Sequence, residues 1–271
     1  MKIFYKVRFP ILTLAVVMAA VFVCWPISAS DHRSLLAAVE SARSQGIPDA
    51  MLNLLLSYAV DNALGPEHTV HMIQLLTRIQ RAGLPIAPFE DKIREGTAKH
   101  VDPQKLENAL NLIFEDFRFV DSLLNRKPGA PGMSSEEVQI LCVKSLDLDL
   151  DRQELNELFE KNSAASPEML AVAALNKAYL KQMAFDSALI DDIMSTGLAM
   201  RNFTKQWLSF YRLAAASKRK GLSDKQVAQA AIDALRQNGD LRQVLTSLKF
   251  VLRDVRHGPH QELPVDGAEE N

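Results

Sequence analysis

The sequence predicts an all-α protein of about five degenerate αα-hairpin units, arranged as an irregular superhelix or as two packed helical bundles. Three observations carry that expectation. From Asp31 onward apolar residues recur at helical spacing, and no stretch alternates in the manner of a strand. Aromatic residues make up 7% of the chain while Leu and Ala abound, a balance that suits helices better than a sandwich or barrel. A unit of roughly 34 residues returns along the chain, as repeat architectures require. With 48% apolar residues the chain can bury a real core.

The first thirty residues stand apart. Lys2, Lys6 and Arg8 form a basic start, and Ile11 to Trp25 form an apolar run without a charge. Ser28-Ala29-Ser30 then offers small residues where a signal peptidase cuts, so residues 1–30 are expected to be a signal peptide cleaved near Ser30/Asp31. The protein is accordingly expected to be periplasmic or secreted. The alternative is an uncleaved N-terminal anchor, since the run approaches the shortest length that spans a bilayer. Contact with membrane is expected only in that case. A lipid anchor on Cys24 is disfavoured by Val23, which stands where lipoprotein signals carry a small residue.

Removal of this segment takes three basic residues and no acidic ones, leaving 28 against 33 and a net charge of −5. Nucleic acid is therefore not expected as a partner, because its binding needs a basic surface that displaces counterions. Cys142 becomes the single remaining thiol, which rules out an intrachain disulfide in the mature chain. Its place between Leu141 and Val143 on an apolar stretch predicts a buried, inert side chain.

The repeat is anchored by Gly83-Leu84-Pro85, which matches Gly46-Ile47-Pro48, Gly132-Met133-Ser134 and Gly221-Leu222-Ser223. Ser166-Pro167-Glu168 is a poorer copy without the glycine. The glycine suits the C′ position of a preceding helix, where φ is positive. Ser134 with Glu137 and Ser223 with Gln226 read as capping boxes, and Ser166-Pro167 places proline at the first helical position. Apolar residues follow at one column in all five copies: Leu52, Phe89, Val138, Val172 and Val227. A later column is small in four of them, Ala59, Gly96, Ser145 and Ala234, with Tyr179 in the fifth; small residues there let two helices approach closely. Gly65-Pro66, Asp102-Pro103, Asp151 with Glu154, Asp186 and Asp240 with Gln243 then start the second helix of each hairpin.

The stripes Leu54, Leu55, Ala59, Ala63 and Leu106, Leu110, Ile113, Phe117 illustrate the apolar faces. Units 1–2 are assigned to residues 31–126, a Pro- and Gly-rich linker to 127–131 and units 3–5 to 132–256. An extra amphipathic helix is expected over roughly 198–216, and residues 257–271 are expected to form a disordered tail.

The unit resembles one found in uncharacterised exported bacterial α-helical repeat proteins, which reads approximately Gly-(Leu/Ile)-Pro, Lys-x-x-Glu-Gly-x-Ala-Lys, Val-x-Pro. Gly83-Leu84-Pro85, Lys92, Glu95-Gly96, Ala98-Lys99 and Val101-Asp102-Pro103 carry every element, over about a tenth of the chain. The resemblance implies export and helical hairpins, and brings no activity or functional residue with it. The tetratricopeptide pattern of Trp, Leu-Gly and Tyr is missing from the first helix.

Candidate chemistry is sparse. Asp147-Leu148-Asp149-Leu150-Asp151 imitates the start of a calcium loop, but Arg152 stands where Gly is needed and Leu158 where the bidentate Glu belongs. His68 and His71 share a helix face, yet only His100 offers itself as a third metal ligand. Glu95 with Lys92 and Lys99 reads as a surface ion pair. No nucleophile elbow or cofactor motif occurs. The sequence assigns no catalytic, cofactor-binding or metal residue, and no cofactor. Phe114, Phe117 and Phe119 form one aromatic cluster. A second, Phe203, Trp207, Phe210 and Tyr211, falls on one face and is the candidate partner-binding face, to be weighed against simple core packing.

A non-enzymatic interaction module or scaffold for protein or peptide in the cell envelope is the expected function. The alternatives are an envelope enzyme whose site is assembled from distant residues, and a membrane-anchored scaffold.

Overall fold

The computed structural model describes residues 29–125, 133–148 and 150–250. Residues 1–28 of the expected signal peptide (1–30), the expected linker 127–131 and the expected tail 257–271 lie outside the described residues. Among the described residues there is no strand, and no helix is long and apolar enough to cross a membrane.

The described residues form twelve α-helices and one 3-10 helix, in order. They are α1 (Ala29–Ser44), α2 (Asp49–Asp61), α3 (Pro66–Arg81), α4 (Ala87–Ala98), α5 (Pro103–Leu124) and α6 (Ser135–Asp147). Then come α7 (Arg152–Lys161), α8 (Pro167–Gln182), α9 (Ser187–Ala199), the 3-10 turn η1 (Lys205–Ser209), α10 (Phe210–Arg219), α11 (Asp224–Arg236) and α12 (Leu241–Ser247). The five sequence copies are the hairpins α2/α3, α4/α5, α6/α7, α8/α9 and α11/α12. The chain divides into two compact units, residues 1–115 and 116–271, with the division inside α5.

Helix starts follow the expected chemistry. Ser134, Asp151 and Ser223 each complete a capping box, with Glu137, Glu154 and Gln226 respectively. Ser166, Asp186 and Asp240 accept from backbone N–H groups of the first turn, as does Asp102 from Gln104 and Lys105. Each such contact satisfies donors that a helix leaves orphaned.

Most helix ends among the described residues share one device. The N–H three residues past the helix bonds the carbonyl five residues back, as in Ile47 to Ala42, Leu84 to Ile79, Val101 to Gly96 and Leu222 to Ser217. This is the Schellman arrangement, and it needs positive φ at C′. Gly46, Gly83 and Gly221 fill that place as expected, at φ +86°, +67° and +79°. The same cap closes six further helices, where Ala63, His100, Ala184, Arg201, Asn238 and Lys249 hold φ between +49° and +57°. Ala63 is thus an exposed cap residue and leaves the apolar stripe expected to contain it. The small column sits just ahead of these caps. A methyl added at Gly96 would stand 3.0 Å from Leu106 Cδ1, so the glycine sets how closely α4 and α5 approach.

In the first unit α3 packs on α1 and α4 on α2, with α2 also against α3. Leu52, Leu55, Leu76, Phe89, Ile93 and Leu110 are fully enclosed between them. Tyr58 is buried as well, and its hydroxyl donates to the Val101 carbonyl at 2.7 Å. The second unit is centred on α8, which meets α6, α7, α9, α10 and η1. Ten consecutive residues of α8 from Met169 to Ala178 contain one half-exposed position, Lys177, so this helix is apolar nearly all round, as a central helix must be.

The expected amphipathic helix over 198–216 does not form as one piece. α9 stops at Ala199, Arg201 turns the chain at φ +53°, and η1 and α10 follow. The physical reason lies at Gly197. Its missing side chain leaves room for the Phe203 ring, which folds back so closely that a Cβ on residue 197 would lie 2.4 Å from Phe203 Cε2. The reversed chain then inserts Trp207 and Phe210 beside Phe203, with ring centroids 5.9 Å and 5.7 Å from the indole.

Candidate functional site

The four aromatics expected as a partner-binding face are interior. Phe203, Trp207 and Phe210 are 0% exposed and Tyr211 is 9% exposed, so they pack the second unit's core and present no face to a partner. Tyr211 stacks on Tyr179 with centroids 3.7 Å apart and planes 7° from parallel. Lys144 lies over the Tyr179 ring and Arg212 over the Tyr211 ring, at 6.0 Å and 5.7 Å. Burial, followed by the neighbouring Tyr211, pushes the Tyr179 phenol up to about 12.

The polar element holding this region is Asn176, fully buried on α8. Its Nδ2 donates to the Val172 and Trp207 carbonyls, and its Oδ1 accepts from the Tyr211 N–H. The Trp207 Nε1 is buried without an acceptor. Sequence reasoning missed Asn176, because an Asn in an apolar helix carries no signal of what it will meet.

The other candidate chemistry is dispersed. His68, His71 and His100 are exposed, and His100 is committed to the α4 cap. Among the described residues no three His, Cys, Asp or Glu side chains are grouped so that they could hold a metal ion. Glu95 pairs with Lys99 at 2.6 Å and Lys92 at 3.1 Å, and these bonds hold its carboxyl below the ordinary value. Cys142 is fully buried, and burial pushes its thiol up to about 12, well away from thiolate reactivity.

Two concave surfaces stand out among the described residues. In the second unit a polar hollow of about 790 Å³ is bounded by Glu168, Arg201, Lys205, Asn238 and Asp240. Its floor is braced by Asn202, which donates to the Gly239 carbonyl at 2.9 Å, and Lys205 is tied to Glu137 at 3.0 Å. The larger surface is a groove of about 810 Å³ in the first unit. One wall is α1, which turns Ser34, Ala37, Ala38 and Ser41 toward it; their i, i+3, i+4, i+7 spacing makes a continuous stripe of small side chains.

The opposite wall of that groove is α3. It carries Val70, His71, Gln74 and Thr77, then Arg78 and Arg81 in the last turn, while α5 adds Glu107 at the edge. The Arg78 guanidinium rests over the Phe114 ring at 5.7 Å, and Arg81 Nε donates to Gln45 Oε1 at 3.1 Å. No carboxylate among the described residues forms an ion pair with either arginine. The stripe on α1 went unremarked in the sequence, although the spacing of its small residues was legible there. That it would face two arginines was not, because the arginines lie some forty positions further along the chain.

Fold and groove together define an all-α protein of helical hairpins with an open, cation-bearing cleft. Compared with known proteins, the chain matches no family model, no curated protein and no solved structure.

Proposed function

We propose that this is an exported, non-enzymatic helical-repeat protein that binds protein or peptide in the cell envelope. The observation that supports the reading is the groove on α1, α3 and α5. α1, which precedes the first hairpin, and α3 and α5, the second helices of the first two hairpins, contribute to it, which is how stacked helices make extended binding surfaces. Its walls bring together small side chains and two guanidiniums, a chemistry suited to holding a chain. The basic start, apolar run and small residues of the first thirty positions support export, as does the resemblance of residues 83–103 to exported repeat proteins.

A photo-crosslinking residue placed at Ala38 inside the groove, and another at Glu160 on an exposed face of α7, tests the reading in the producing cell. A discrete protein adduct from Ala38 and none from Glu160 is expected. Absence of an adduct from Ala38 at native expression overturns it. Mass measurement of the exported protein tests the address, with Asp31 as the expected first residue.

A further inference from the structure

Resting on the reading just given, we infer that the α1–α3–α5 groove takes a helical segment of a partner protein, two to three turns long, through carboxylates spaced one turn apart. The shape argument comes first. Ser34 to Ser41 spans seven residues, about 10.5 Å of α1, and Val70 to Arg81 spans about 16 Å of α3, at about 1.5 Å per residue. Small side chains along α1 let another helix approach to the closer end of the usual 8–10 Å interaxial range, roughly. An extended strand would find no sheet edge here with which to pair, whereas a helix satisfies its own backbone groups.

Charge then selects the partner. Arg78 and Arg81 are three apart, which sets their side chains about 5–6 Å from one another at the Cβ atoms. Carboxylates three or four apart on a docking helix repeat that spacing. Each guanidinium is already held by a neutral group, Arg78 by the Phe114 ring and Arg81 by Gln45, so little side-chain freedom is lost when an anion arrives. Both also stand in the last turn of α3, where they offset the helix dipole; that role is satisfied with or without a ligand, and binding separates the two. Glu107 lies seven residues before Phe114 on α5, about 10.5 Å along the helix from the ring that Arg78 covers. The groove is thus basic at one end and acidic at the other, which gives the docked helix a direction.

The test uses the exported protein and fluorescein-labelled, alanine-rich helical peptides of about 14 residues, long enough to exceed the groove. One carries glutamate pairs spaced i, i+3, one glutamine and one lysine at the same positions. Saturable binding of the glutamate peptide is expected, weakening as salt rises. The glutamine and lysine peptides should bind about tenfold more weakly or worse, as loss of charge-assisted contacts predicts. The double variant Arg78→Gln, Arg81→Gln and the groove-filling Ala38→Trp should each lower affinity to a similar degree. Circular dichroism melts within about 3 °C of the parent show that these variants fold. Equal binding of glutamate and glutamine peptides, or unchanged affinity in the double variant, overturns the inference. If the glutamate peptide fails while the Ala38 crosslink in cells persists, the acidic-helix assignment falls and the interaction reading stands. Failure of both sinks both.

Discussion

Asn176 and Tyr211 are joined side chain to backbone, with the Tyr211 N–H donating to Asn176 Oδ1 at 3.1 Å while Asn176 Nδ2 donates to the Trp207 carbonyl at 3.0 Å. In a continuous helix the Tyr211 N–H would reach the Trp207 carbonyl directly. Here the 3-10 turn η1 gives way to α10 at that point, and the Asn176 amide is inserted between the two groups. A buried break in a helix ladder is thereby bridged by one side chain, with the Phe210 N–H also donating to the Trp207 carbonyl.

Asn176→Leu should therefore destabilise the second unit by about 1–3 kcal/mol, because it leaves the buried Tyr211 N–H unpaired and the Trp207 carbonyl with the Phe210 N–H alone. Asn176→Asp should lose nearly as much, since a carboxylate can accept from Tyr211 but cannot donate to Trp207. Urea unfolding followed by Trp207 fluorescence measures both. An Asn176→Leu variant as stable as the parent would refute the role assigned to the amide.

The two packed glycines should respond differently to alanine. Gly197→Ala puts a Cβ 2.4 Å from the buried Phe203 ring, which has nowhere to retreat, and should cost about 2–3 kcal/mol. Gly96→Ala meets only the Leu106 side chain, its two methyls at 3.0 Å and 3.2 Å, and the helix gains about 1 kcal/mol in propensity, so the net change should stay within about 1 kcal/mol. Paired thermal melts decide the contrast.

The helix caps offer stabilising changes. Ala63, His100 and Ala184 hold φ near +50°, where a Cβ strains against the backbone by about 1 kcal/mol or more. Ala63→Gly, His100→Gly and Ala184→Gly should each raise the melting temperature by about 2–4 °C. Asn238→Gly should yield less, because Asn tolerates this region better than other residues do. Differential scanning calorimetry reads all four.

Alkaline pH should loosen the fold through its buried phenols. Burial raises the Tyr58 hydroxyl above its ordinary 10, aided by Asp102, and pushes Tyr179 up to about 12. For a raised folded-state value, the stabilisation is complete below the unfolded value and disappears as pH climbs through the folded one. The loss should thus run from about pH 10 to about pH 12 for Tyr179. Ultraviolet absorbance of tyrosinate together with circular dichroism follows it. Tyr179→Phe should show a shallower decline over the same window.

Local chemistry made the hairpins legible in the sequence. Ser134-x-x-Glu137, Asp151-x-x-Glu154 and Ser223-x-x-Gln226 name helix starts because each cap is built from residues within one turn, and Gly46, Gly83 and Gly221 name helix ends for the same reason. The apolar column Leu52, Phe89, Val138, Val172 and Val227 is buried in all five copies, and its period is visible without knowing what covers it. Ala63, His100 and Ala184 escaped because tertiary packing holds non-glycine residues in the left-handed region that sequence reserves for glycine.

What the sequence by itself determined, then, is the all-α class and the five hairpins, because helix periodicity, caps and turn glycines act over a few residues. Only the tertiary structure decided that Phe203, Trp207, Phe210 and Tyr211 are core, since whether an apolar face is covered depends on α8 and Gly197, which are distant or cryptic in the chain. It also decided where a groove lies, by setting the small stripe of α1 against Arg78 and Arg81 of α3. Burial and juxtaposition are properties of packing, and packing joins residues that the sequence keeps apart.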